Sequence, residues 1–460
     1  MPGFLLRCRP YLRNPQLLSL AGNLAASGFT VASVALLFRL LPPAQLGVWV
    51  FFLAMQGLME AFRSGWLTTA FIRAYAGAAP ARAAEVQGSA WMLALVLTAG
   101  PGLLGLLAGQ WPAWNASLSL GLFLRWFPLL LALTLPSFMA TCTQQAGQRF
   151  DRLLGLRLLG QVAFLTGIGG LLLLGRVSLP GVVYCQLGAA ALTSAVVLGR
   201  GWAGLCSLRH GSAAGVRELA RFGRYSVGSY IGSYLLRSSD TVLITLLLGP
   251  AALAVYNLAQ RFQELIEIPL RSVTATALPR LAAAANRHDR AGMAALLERQ
   301  AGLLTWLLLP VVVGTVLLAE VPISLIGGRQ YLGTEAAGVL RLTISMAVLL
   351  PLDRFTGLAL DVLGRPQLNL LKVLLMLAVN VVGDLVGIHL THSIYGVALA
   401  SLPTILVGFV FGFRLLRRDL PVEAGGMLRV GWRAAGRRLA RLASVVFRRP
   451  NPSTPALPLP

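Results

Sequence analysis

Long apolar stretches recur along the whole chain, broken by clusters of Pro, Gly and Arg. Cutting at those breaks leaves twelve segments. They cover about residues 17–41, 46–75, 86–108, 117–143, 153–175, 179–199, 222–247, 250–278, 297–325, 332–360, 366–387 and 394–413. Each is near the roughly 20 residues that cross the hydrocarbon of a bilayer as a helix. One such run could be a buried helix of a soluble protein. Twelve in series predict an all-α polytopic membrane protein with about 12 transmembrane helices. The apolar run after Gln16 is too long for a signal-peptide core, so it counts as the first span.

The pattern repeats at an offset of 207. Leu41–Trp49 aligns with Leu248–Tyr256, five of nine positions are identical, and Glu60 then falls on Glu267. Spans 1–2 therefore match spans 7–8. An even shift preserves topology, so two six-helix halves are expected, residues 1–199 and 222–416. They should be related by a pseudo-two-fold along the membrane normal, with the pathway between them. Residues 200–221 read as a cytoplasmic linker and 417–460 as a basic amphipathic cytoplasmic tail. In that tail Leu428, Trp432, Ala435, Leu439, Leu442 and Val446 form one helical stripe. Arg429, Arg433, Arg437, Arg438 and Arg441 fall on the other side. Such a helix suits an anionic leaflet, or else packs on the protein's own loops.

Composition sharpens this picture. The chain is 56% hydrophobic and 12% charged, the reverse of a disordered chain. Lys+Arg number 39 against 16 Asp+Glu, a net charge of +23. In a soluble chain that would suggest nucleic acid. Here the basic residues lie between apolar segments, so no nucleic-acid partner is expected. With a cytoplasmic N-terminus, the inner segments hold 24 of the 39 basic residues and the outer ones only Arg176 and Arg329. That bias places both termini in the cytoplasm. Lys372 is the only lysine, a bias that reads as genome composition.

Catalytic chemistry finds no support. Cys8, Cys142, Cys185 and Cys206 are far apart, with neither metal nor disulfide spacing. Lys372 lies in an apolar run, so no phosphate-binding loop exists. His389 and His392 sit at a turn without a nearby Cys or acid. No enzyme activity, metal or cofactor is expected.

What remains are ionisable groups inside spans, each costing about 2.5–3.5 kcal/mol at a helix centre facing lipid. Span 2 carries Glu60 and Arg63, span 7 Arg237 and Asp240, span 8 Arg261, Glu264 and Glu267. Span 10 carries Arg341, Asp353 and Arg354, and elsewhere stand Arg125, Lys372 and Asp384. They line a wet cavity, or they pair and lock helices together. Arg125 and Arg341 have no acid within one turn, which favours the cavity for them. Within spans, 13 basic residues face 9 acidic ones. The excess tilts toward an anionic, phosphate-bearing substrate, because arginine's planar fork matches phosphate oxygens.

From Asn23 onward, Leu36–Phe52, Glu60–Gly65 and Ala70–Tyr75 resemble the first two helices of lipopolysaccharide and polysaccharide flippases. These are the O-antigen flippase type of the multidrug/oligosaccharidyl-lipid/polysaccharide (MOP) exporter superfamily. Ser239–Pro250, followed by Tyr256, resembles the Asp, apolar run, Gly and Tyr of such families. The resemblance implies a flippase in the bacterial cytoplasmic (inner) membrane. It would carry an undecaprenyl-pyrophosphate-linked oligosaccharide by alternating access, for O-antigen, capsule or exopolysaccharide. It also implies membrane lipids and polysaccharide polymerase or assembly proteins as partners, and a proton or sodium as coupling ion. Carried onto this chain, the basic cavity residues are Arg63, Arg125, Arg237, Arg261 and Arg341. The coupling or pairing acids are Glu60, Asp240, Glu264 and Glu267. The main competing reading is a cation-coupled multidrug antiporter of the same superfamily. A sugar-porter facilitator fits less well, because residues 76–85 lack its charged loop. A scaffold for glycan assembly would act through the tail.

If Arg237 lines the cavity, Arg237→Gln is expected to lower flux in a well-folded protein. Wild-type flux from that variant would remove it from the substrate path.

Overall fold

A computed structural model of the chain describes residues 29, 32–75, 78–112, 117–147, 149–423, 425–427 and 429–432. Every regular element among them is helical. The long helices are α1 (Pro43–Tyr75), α2 (Pro80–Ala108), α3 (Leu118–Ala146), α4 (Phe150–Leu173), α5 (Leu179–Gly199), α6 (Ala213–Leu247) and α7 (Pro250–Asn286). They continue with α8 (Arg290–Leu317), the short α9 (Glu320–Gly327), α10 (Ala336–Met346), α11 (Leu350–Val362), α12 (Pro366–Thr391) and α13 (Ile394–Leu416). Taking α10 and α11 as one segment, nine among the described residues are long and apolar enough to cross a membrane. The protein is an all-α polytopic membrane protein, as its apolar pattern predicts.

Three of the breaks in the sequence carry side-chain helix caps. Side chains of Ser178, Ser212 and Asp289 accept hydrogen bonds from the Gly181, Gly215 and Gly292 N–H groups, at 3.4, 3.0 and 2.8 Å. Each satisfies a donor that the first helical turn leaves open. Two expected spans are interrupted. The span over 332–360 ends its first helix at Met346, passes through a 3-10 turn at Ala347–Leu349 and restarts at Leu350. Pro351 explains the restart, since it lacks an N–H and crowds the preceding turn. The span over 297–325 stops at Leu317 before α9 begins. Helices α6 and α7 have 35 and 37 residues, about 52 and 55 Å at 1.5 Å per residue, longer than the ~30 Å hydrocarbon. Of the first expected span, helical residues 32–40 are described and most of the remainder lies outside the described residues.

The chain forms two compact units. Unit 1 comprises Met1–Leu258, Ile323–Ala336 and Asp384–Val397. Its spine is α1 lying along α6. Glycines permit that approach: a Cβ at Gly65 would meet the Val227 backbone, and one at Gly223 the Trp66 backbone. Gly57 receives the Tyr234 ring, whose hydroxyl donates to the Ala54 carbonyl at 2.7 Å. Gly47 lies against the Pro250 carbonyl, so the two repeated turns touch. Small residues at such contacts are the usual means of helix association in lipid. Within residues 200–221, the expected linker, Ala203 is buried. A 3-10 turn at Leu205–His210 docks on α2, where the Trp91 indole donates to the Ala203 carbonyl at 2.9 Å.

Unit 2 comprises Ala259–Pro322, Ala337–Gly383 and Ala398–Pro460. Its core joins Leu281, Leu297, Leu304, Phe355 and Leu360 to Leu416, Leu420, Val422 and Met427. The chain after α13 therefore turns back onto α8. The Glu423 N–H donates to Glu298 at 2.8 Å, Gly431 abuts Gly302, and the rings of Trp306 and Trp432 stand 4.6 Å apart. At its start the tail packs on the protein itself. The rest of the basic stripe, beyond Trp432, lies outside the described residues.

Truncation after Trp432 is expected to leave the thermal midpoint unchanged. Truncation after Leu416 removes Leu420, Val422 and Met427, each contributing about 1.5–3 kcal/mol of burial. It should lower the midpoint clearly. Equal midpoints for the two truncations would show that the segment does not belong to the core.

Candidate functional site

The first cluster lies in unit 1, on α1 and α3. Pro136, inside α3, has no N–H to offer the Ala132 carbonyl. Neighbouring carbonyls accept side chains. Leu131 O accepts from Arg63 Nη1 at 3.2 Å, and Leu133 O accepts from Ser194 Oγ at 2.5 Å. Arg63 Nη2 donates to Glu60 Oε2 at 2.7 Å and to Thr134 Oγ1 at 3.0 Å. Its guanidinium lies 5.0 Å from the centre of the Phe138 ring. Arg63 is 1% exposed, whereas the Glu60 side chain is 44% exposed.

Glu60 faces a cavity of about 250 Å³, and Arg63 stands behind it. Ser64, Thr68, Ser137, Thr141 and Gln145 supply hydroxyls and an amide, and Phe138, Cys142 and Tyr230 complete the wall. The lining therefore holds one carboxylate, balanced by Arg63 behind it, is rich in hydrogen-bonding groups, and includes two aromatic rings.

The second cluster, also in unit 1, follows from helix geometry. The α6–α7 turn uses Gly249 at φ +90°, a left-handed conformation that favours glycine. Asp240 precedes the turn by about as many residues as Tyr256 follows it. At 1.5 Å per residue the two reach the same depth. The Tyr256 hydroxyl donates to Asp240 Oδ2 at 2.6 Å. Asp384, fully buried on α12, hydrogen-bonds with the Asp240 carboxyl. Two carboxyl groups in contact can hold one positive charge between them, either a proton or a small cation.

The other residues singled out in the sequence are dispersed. Arg125 is exposed on α3, with its guanidinium 5.4 Å from the Trp126 ring centre, and Arg237 is exposed on α6. Neither lines the cavity. In unit 2, Arg261 pairs with Glu264 at 3.1 Å, and Glu267 is half-buried. Arg341 meets Glu320 at 3.5 Å and the Val316 carbonyl at 3.2 Å. Its partner comes from another helix, which spacing along its own helix could not reveal. Asp384 was visible only as a lone acid in an apolar span. The expense of such a group was the signal for its role.

Residues 36–336 match the family described as polysaccharide biosynthesis protein. The chain belongs to that family. Among curated relatives it is similar to the probable low-salt glycan biosynthesis flippase Agl15 of Haloferax volcanii. The two are 21% identical over 226 residues, 49% of this chain and 47% of Agl15, so the match spans about half the relative's length. Among solved structures, this polysaccharide biosynthesis protein resembles an inward-facing multidrug resistance MATE family transporter of the MOP superfamily. That TM-score is 0.73 at 18% identity, covering 86% of this chain and 95% of that one. Lipid II flippase MurJ in an inward closed conformation gives 0.71 at 12% identity, covering 95% and 94%. A Pyrococcus furiosus MOP superfamily transporter gives 0.59 at 17% identity, covering 88% and 94%. The fold is that of the MOP superfamily.

Arg63→Gln removes the buried guanidinium's bonds to Glu60, Thr134 and the Leu131 carbonyl, so it should cost about 1–3 kcal/mol. Glu60→Gln keeps an acceptor for Arg63 and should cost less. Thermal unfolding of both variants checks this. If Arg63→Gln is no less stable than Glu60→Gln, Arg63 does not tie α1 to α3.

Proposed function

We propose that the chain is a flippase that carries a lipid-linked oligosaccharide across the bacterial inner membrane by alternating access. The cargo is an oligosaccharide on undecaprenyl pyrophosphate, destined for O-antigen, capsule or exopolysaccharide. The observation that carries this reading is the hydroxyl-rich, charge-balanced cavity inside a membrane protein of a polysaccharide biosynthesis family. A saccharide is a neutral polyol. It is held by many hydrogen-bonding groups and by aromatic faces, as Glu60, Ser64, Thr141, Gln145, Phe138 and Tyr230 would supply. At about 250 Å³ the cavity is below the ~300–1,000 Å³ of drug-sized sites, so it suits part of a glycan rather than the whole. The glycan flippase Agl15 and Lipid II flippase MurJ support the same substrate class. Polymerase and assembly proteins would receive the flipped product.

One observation favours a cation-coupled multidrug antiporter. Glu60 is the ionisable carboxylate facing the cavity, near two aromatic rings. Against it, Arg63 at 2.7 Å balances that charge, leaving little net attraction for a cation. Coupling in either case is assigned to Asp240, Asp384 and Tyr256, with a proton or sodium as the ion.

Lipid analysis of a deletion strain, resolved by leaflet, separates the two readings. Build-up of polyprenyl-pyrophosphate oligosaccharide on the cytoplasmic face, with loss of surface glycan, is expected. Normal lipid intermediates with new sensitivity to cationic dyes would favour the antiporter. In reconstituted vesicles, Asp240→Asn is expected to abolish the dependence of flux on pH or sodium. An unchanged dependence would make that acid structural.

A further inference from the structure

The one lysine, beside 38 arginines, is not placed at random. Lys372 lies on α12 in unit 2 and is 3% exposed. Its Nζ stands 2.7 Å from Asp353 Oδ1, and donates to the Asp353 carbonyl at 2.9 Å and to Thr356 Oγ1 at 3.3 Å. Two of the ammonium's three N–H donors go to the carbonyl and the hydroxyl, and the Asp353 carboxylate balances its charge as an ion pair. The Thr356 hydroxyl spends its own proton on the Asp353 carbonyl, at 2.7 Å, so its lone pairs are free for the ammonium.

Three glycines set the size of this cage. A Cβ on Gly357 would stand 3.4 Å from Nζ, and one on Gly408 2.6 Å from Asp353 Oδ1. A Cβ on Gly412 would stand 2.7 Å from Thr356 Oγ1 and 3.2 Å from Lys372 Cδ. Helices α11, α12 and α13 thus close on a compact sphere of charge. A guanidinium is planar and wider, with five donors in a fixed fork. Composition alone would place arginine here; the close approach of the three glycines suits a compact ammonium. A carboxylate, a main-chain carbonyl and a hydroxyl are also the oxygen ligands that hold hard, free metal cations.

We propose that Lys372 is a tethered monovalent cation. The cage of Asp353, Thr356 and the Asp353 carbonyl is a cation site whose occupant belongs to the chain, so it takes up no exchangeable ion. The ion that couples transport would then bind elsewhere. This inference rests on the geometry of unit 2 and stands whatever the cargo is.

The test removes the tether. Purified full-length Lys372→Ala is unfolded thermally in ammonium, potassium, sodium or N-methylglucamine chloride. Its midpoint is expected to fall below wild type, then to rise by roughly 3–5 °C in ammonium or potassium over N-methylglucamine. Wild type should respond equally to all four salts. A variant indifferent to the cation would overturn the proposal, as would an equal shift in wild type. If Lys372→Ala does not fold, Lys372→Met is compared with Lys372→Met/Asp353→Asn. Removing the stranded carboxylate should restore stability. Lys372→Met as stable as wild type would show that the cage needs no cation. Lys372→Arg should be destabilised, and wild-type behaviour there would refute the size argument.

Discussion

Inside hydrocarbon no water compensates a charge or an unpaired carbonyl, so the chain must supply every partner itself. Arg63 is met by Glu60, Thr134 and the Leu131 carbonyl of α3. Asp240 is met by Tyr256 and Asp384. Lys372 is met by Asp353 and Thr356. Each solution names the helices that must be neighbours: α1 with α3, α6 with α7 and α12, α11 with α12. Buried pairs of this kind contribute little net stability, because desolvation offsets their attraction. Removing one member is costly, so they penalise wrong packings more than they reward the right one.

Close helix contact follows from the same environment. Lipid tails are as apolar as leucine, so burying leucine between helices gains little, and approach depends on small residues. Gly57, Gly65 and Gly223 bring α1 and α6 together in unit 1, Gly47 meets Pro250 at the start of α7, and Gly387 abuts Gly396 there. Gly302 and Gly431 do the same in unit 2. Large apolar side chains face outward instead; Leu173 is 90% exposed and Leu104 67%. In water such a surface would aggregate. In a bilayer it is the solvated face.

Periodicity made the fold class legible, because a helix in lipid needs an apolar run of nearly fixed length. The Asp240–Tyr256 contact was also within reach of the sequence, since a tight hairpin fixes equal depths on both sides of its turn. Partners from other helices were not. Arg341 has no acid in its own turn, yet Glu320 meets it across 21 positions. The Glu60–Arg63 spacing gave the pair but not its orientation. The structure buries the arginine against α3 and leaves the carboxylate facing the cavity. Lys372 was visible as a count and became meaningful only with the three glycines around it.

Counting charges within spans therefore does not say which of them face a cavity. An excess of arginine suggests an anionic substrate only if the arginines face it. Here Arg63 is buried behind the wall, Arg261 and Arg341 have acids beside them, and Arg125 is absent from the lining. The groups that do face the cavity are hydroxyls, an amide, a balanced carboxylate and aromatic rings. Such a surface selects by hydrogen-bond geometry and stacking, with little electrostatic pull. A glycan meets those terms through its hydroxyls. Under the proposed flippase reading, the sugar rather than the pyrophosphate would meet this cavity.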